Sequence, residues 1–141
     1  MANTQAVSGA MKQAALSAVV DGKSMKGALY LASATTNGTN AVYTGTGELS
    51  ATGNYATGGA TVTNANTAGL TSTTAYWTPS ASISWTNLTS SGSFDAVMIY
   101  STTDTNRNIG VFTIGSQTVT AGTLTLTMPT NDSSTGLVRF A

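Results

Sequence analysis

Hydrophobic positions change period along this chain. Val7, Ala10, Met11, Ala14 and Ala18 fall at i, i+3, i+4, i+7 and i+11, the spacing of one helix face. Thr4 offers an N-cap, Asp21-Gly22 a stop, and Gly9 weakens the middle by about 1 kcal/mol relative to alanine. So marginal a helix needs a surface to pack on. After Lys26 the period shortens. "GALYLAS" (27–33), "AVYT" (41–44), "ATVT" (60–63), "SASISW" (80–85), "FDAVMIY" (94–100), "IGVFTI" (109–114), "TLTLTM" (123–128) and "LVRF" (137–140) read as about eight short strands. Leu124, Leu126 and Met128 alternate with Thr123, Thr125 and Thr127, the pattern of one buried face, and Ala81, Ile83 and Trp85 do the same. Residues 96–99 are apolar without a break, which predicts a central strand covered on both sides.

Short strands with turn signals and no intervening helices predict an all-β fold, an antiparallel β-sandwich or jelly roll, preceded by a short N-terminal helix. Residues 35–40 and 64–74 read as loops. The one boundary expected lies near residue 24, between a helical arm (1–24) and the β domain (25–141). Within the arm, Val7, Met11, Ala14 and Leu16 are the expected docking or intersubunit residues. A helix folded against its own β domain is the equal alternative.

Composition narrows the chemistry. Only 7% of 141 residues are charged, five of each sign, so hydroxyls and amides must supply solubility, and a neutral surface suits a fixed place in an assembly. There is no cysteine to staple the fold and no histidine, which removes Ser-His and Cys-His nucleophiles and His-ligated zinc. The N-terminus lacks a basic stretch followed by an apolar run, so synthesis in a cytoplasm is expected. No apolar run approaches the ~18 residues of a membrane helix. No membrane partner is expected.

Five carboxylates, Asp21, Glu48, Asp95, Asp104 and Asp132, are scattered, and nothing pairs them as a glycosidase requires. Ser24 and Lys26 imitate a Ser-Lys pair but suit a solvated strand start better. "DTNRN" (104–108) has the first three ligand positions of a calcium loop, then puts Ile109 where the turn glycine belongs and Gly115 where the bidentate glutamate belongs. It reads as a hairpin tip. "GNYATGG" (53–59) lacks the lysine and the strand-to-helix setting of a phosphate loop. Lys12, Lys23 and Lys26 are the only clustered cations, too few for nucleic acid. The residues therefore predict no enzyme, no metal and no cofactor. Tyr76 and Trp77, adjacent and hence on opposite strand faces, offer an aromatic platform for a glycan.

One stretch, "YTGTGELSATGNYATGGATVT" (43–63), holds the only glutamate, Glu48, and Tyr55 among glycines. Its Gly47-Glu48, Tyr55 and Gly58-Gly59, with the runs 75–103 and 108–129 that contain "FDAVMIY" and "VTAGTLTLTMP", resemble small tailed-bacteriophage virion proteins over roughly residues 26 to 141. The resemblance implies a structural virion component of the capsid-decorating, cement or appendage type. The expected function is a cement protein on the capsid surface, bound to the major capsid protein and to itself as a homodimer or homotrimer. A fibre module for a host glycan and a secreted S-layer-like adhesive domain are the alternatives. Glu48 and Tyr55 themselves read as structural, Glu48 accepting hydrogen bonds from the backbone of its own connection or pairing with a nearby cation, and Tyr55 anchoring that connection.

Overall fold

The computed structural model describes residues 3–141; residues 1 and 2 of the predicted arm lie outside that range. Ser8 caps α1 (Gly9–Val20), its side chain accepting the Met11 N–H at 3.2 Å, and Asp21 ends the helix. Nine strands follow among the described residues: β1 (Met25–Leu31), β2 (Ala60–Val62), β3 (Gly69–Thr71), β4 (Thr74–Trp77), β5 (Ile83–Leu88), β6 (Phe94–Ser101), β7 (Arg107–Gln117), β8 (Gly122–Leu126) and β9 (Val138–Phe140). They form antiparallel sheets in the orders β2-β1-β6-β7, β3-β4-β9 and β5-β8.

The central strands β1 and β6 are buried on both faces, as the unbroken apolar run of β6 predicts. Met25, Leu29, Val97 and Ile99 join Ile83, Trp85, Leu88 and Leu124 of the two-stranded sheet in the main core. On the opposite face Ala28, Tyr30, Ala96, Met98 and Tyr100 form a second cluster beneath Ala34 and Tyr43. Those two residues belong to a long excursion, 32–59, in which no strand forms.

The helix cap is Ser8 and not Thr4, since only from Ser8 does a side-chain oxygen reach a first-turn N–H, and four further readings change. Residues 41–44 make only a bridge from Val42 to Arg107, because two backbone bonds at a hairpin tip, Asn108 N–H to Ala41 and Tyr43 N–H to Asn106, are all that segment finds. The predicted loop 64–74 contains β3 and the start of β4. They meet through Ser72 and Thr73, with Ser72 at φ 55°, a conformation that those letters do not advertise. Ala81 is exposed, unlike Ile83 and Trp85, since β5 begins only at Ile83.

The fourth concerns the helix. Leu16 and Val20 lie in the main core with Ala75 and Trp77 of β4, so α1 is built into the fold and is not a free arm. Gly9 permits the approach, since a Cβ there would stand 2.8 Å from Ser72 O. The face read as apolar is the outer one: Val7, Ala10, Met11, Ala14 and Ala18 are all exposed. Alanines on every side leave the larger Leu16 and Val20, helped by Gln13 Nε2 donating to Ala68 O at 2.9 Å, to choose the buried side.

Candidate functional site

The densest polar arrangement is built on the second face of the four-stranded sheet. At Leu29–Leu31, beyond the end of β2, residues 47–49 run beside β1: Leu31 N–H bonds Gly47 O, and Leu49 N–H bonds Leu29 O, both at 2.9 Å. This pairing aligns Glu48 with Tyr30 and Leu49 with Leu29. The two leucines enter the main core while Glu48 and Tyr30 face the excursion.

Glu48 is only 7% exposed, and its carboxylate is surrounded by donors. Oε1 accepts the Tyr55 hydroxyl and the Gly58 N–H, each at 2.7 Å, and Oε2 accepts the Tyr43 hydroxyl. Tyr55 Oη also accepts the Leu29 N–H at 3.0 Å. The Tyr100 hydroxyl donates to Gly58 O at 2.8 Å, and its ring stacks on Tyr43 with centroids 4.6 Å apart. The Tyr30 hydroxyl donates to Thr44 O at 2.5 Å. Four of the five tyrosines thus surround the chain's only glutamate. Gly58 and Gly59 both have positive φ, and a Cβ on Gly59 would lie 1.9 Å from Gly27 O, so only a glycine lets the connection cross β1.

Burial, then the Glu48 charge, pushes the Tyr30 phenol up to about 12. Tyr43 and Tyr55 are raised further by burial and by donating to Glu48, and Tyr100 by burial and then that charge. A phenol held protonated is a donor, the opposite of an activated nucleophile. The arrangement can hold a connection in place, with three donors on a carboxylate that is almost wholly buried.

Three of the four remaining acids, all but Asp95, have comparable work. Asp21 accepts the Ser17 hydroxyl at 2.5 Å and the Ala68 N–H at 2.7 Å, tying the helix end to the segment before β3. Asp132 accepts the Ser134 and Thr135 N–H groups, which hold its carboxyl below the ordinary range. Asp104 pairs with Arg107 at 2.6 Å across the β6–β7 hairpin tip. No cluster of three metal-ligating acids occurs among the described residues.

The structure scatters the predicted site residues. Val7, Met11 and Ala14 are exposed, whereas Leu16 is 1% exposed and belongs to the core. Trp77 is fully buried, with Nε1 donating to Asn64 Oδ1 at 3.1 Å, so it presents no ring face to a glycan. Tyr76 is half-buried, its ring against Gly69, where an added Cβ would meet it at 2.4 Å. An open recess of about 430 Å³ instead lies between residues 33–40 and 44–47, lined by Ser33, Thr35, Thr36, Asn40, Thr44 and Thr46 with no charged or aromatic group.

Glu48 and Tyr55 were legible as structural residues of one glycine-framed stretch, and the Gly58 N–H is the backbone donor expected for Glu48, but the bond between the two side chains was not read. Tyr30, Tyr43 and Tyr100 were not singled out. The signal for Tyr30 was its alternation with Leu29, which puts it on the face away from the main core. No protein-family model matches the chain, and comparisons with curated proteins and with solved structures give no match.

Proposed function

We propose that this chain is a non-enzymatic structural protein of a tailed-phage virion, in particular a cement protein that binds the capsid exterior and braces contacts between major capsid subunits. The observation that carries this reading is the convergence of Glu48, Tyr55 and Gly58, positions on which the resemblance rests, in one buried hydrogen-bonded unit. A likeness in those positions is a likeness of architecture, and the unit presents no reactive group. The sheets are read as an antiparallel sandwich whose second face this unit seals.

Val7, Met11 and Ala14 support the docking step. Met11 and Ala14 stand exposed on a helix that Leu16 and Val20 fix in the core, and the exposed Val7 lies just before its Ser8 cap, so the strip is displayed on a chain of zero net charge. Many symmetric copies would make such modest contacts hold by avidity. A second reading, a fibre module for a host glycan, draws on the hydroxyl- and amide-lined recess at Ser33–Thr46.

Purified chain added to phage heads that lack it should co-sediment with them on the order of hundreds of copies per particle. Binding at a handful of copies per particle would support the fibre module and sink the cement reading.

A further inference from the structure

The main core is open along one side. The β7 edge of the four-stranded sheet and the β8 edge of the two-stranded sheet flank an apolar cleft of about 240 Å³, lined by Val97, Ile99, Phe112, Ile114, Leu126 and Met128. β8 pairs only with β5, and no other backbone bond reaches residues 122–128. Its outer row of N–H and C=O groups is unpaired.

Natural edges are kept apart by charge, proline, bulges or cover. β7 is irregular, with register shifts on both sides of Gly110–Thr113. β8 is not: the irregularity in its pairing adds a residue to β5, where Asn87 takes φ 50°, and β8 itself carries no extra residue. Residues 108–131 carry no charge.

We infer that β8 is a dimerisation edge, pairing antiparallel with β8 of a second copy about a two-fold axis through Thr125. Such a contact must be complementary to itself. Thr123-Leu124-Thr125-Leu126-Thr127 reads identically in both directions, so the axis sets threonine against threonine and leucine against leucine without moving a side chain to the wrong face. No like charges meet across the axis. The threonine row is exposed, and its hydroxyl pairing already occurs on the other side of the strand, where Thr125 Oγ1 lies 3.0 Å from Ser84 Oγ. The leucine rows of both copies extend the apolar wall of each cleft. This pairing is independent of capsid attachment, so its failure would leave that reading standing.

Analytical ultracentrifugation should give the wild-type chain twice its monomer mass at micromolar concentration. Thr125→Lys, which sets two ammonium groups opposite each other, should sediment as a monomer with an unchanged far-UV spectrum. A second variant is immune to misfolding by charge. Antiparallel partners lie about 4.5–5.5 Å apart at Cα, within disulfide range. The chain has no cysteine of its own, so Thr125→Cys should oxidise to a covalent dimer far faster than the exposed control Thr63→Cys. A wild-type monomer or trimer, a folded Thr125→Lys dimer, or equal cross-linking of the two cysteine variants would each overturn the inference.

Discussion

Tyr55 Oη donates to Glu48 Oε1 at 2.7 Å while accepting the Leu29 N–H at 3.0 Å, so a single phenol links the excursion's carboxylate to a central strand. Each group in this relay is buried, and if the relay broke the Leu29 N–H would lack a partner and Glu48 would lose one of its three donors.

Glu48→Gln retains the shape but substitutes an amide for an oxygen that now accepts a hydrogen bond. With the amide nitrogen at the Oε2 position, the Tyr43 hydroxyl must turn from donor to acceptor, and the remaining bonds lose the charge that strengthened them. The expected cost is about 1.5–3 kcal/mol, the range for hydrogen bonds to a charged group. Tyr55→Phe should cost a similar amount by leaving the Leu29 N–H without a partner and taking one of three donors from Glu48. Urea unfolding would show a lower midpoint at constant slope, and an unchanged Glu48→Gln midpoint would mean that the charge has no structural role.

Alkali should loosen the same unit. Below a pH of about 10, the ordinary tyrosine value, these phenols are protonated in the folded and unfolded chains alike. Above it the unfolded chain releases protons that the native state keeps, so stability falls as pH rises, for Tyr30 up to about 12. Tyr43, Tyr55 and Tyr100 act in the same direction. Melting temperature against pH should decline through this window, and less steeply in Glu48→Gln, which lacks one cause of the shifts. A flat wild-type profile would contradict the assignment.

Gly59 and Gly22 separate contact from conformation. Both have positive φ, 79° and 65°, but a Cβ on Gly59 meets Gly27 O at 1.9 Å whereas one on Gly22 meets nothing within 4 Å. Gly22→Ala should cost about 1–2 kcal/mol for the left-handed backbone alone. Gly59→Ala should exceed ~4 kcal/mol and abolish cooperative unfolding. Comparable losses in the two variants would show that close passage over β1 is unimportant.

Much of this architecture was legible because local pattern and tertiary burial agree. The unbroken run of β6 and the Leu/Thr alternation of β8 state their environments directly. β3 and β4 were hidden because their first strand has three residues and Ser72-Thr73 carries no turn signature. The glutamate site was half legible. Tyr55 and Gly58 lie near Glu48 in sequence, whereas Tyr100 arrives on β6, and only strand pairing brings it to Gly58. Helix orientation was misread because periodicity counts alanines equally with leucine, although burial favours the larger side chain.

That misreading changes how the helix must be tested. Deleting residues 1–20 would remove Leu16 and Val20 from the core and unfold the chain, so lost capsid binding would mean nothing. Point changes divide the two roles. Leu16→Ala should cost about 2–5 kcal/mol, because a fully buried side chain leaves a cavity among core neighbours such as Ala75 and Trp77. Met11→Ser and Val7→Ser, at residues 59% and 54% exposed, should stay within about 0.5 kcal/mol of wild type. If the outer strip docks onto the capsid, the Met11→Ser/Val7→Ser double variant should lose head co-sedimentation at unchanged stability. Undiminished binding by that folded variant would remove the helix from the contact and leave other surfaces to carry it.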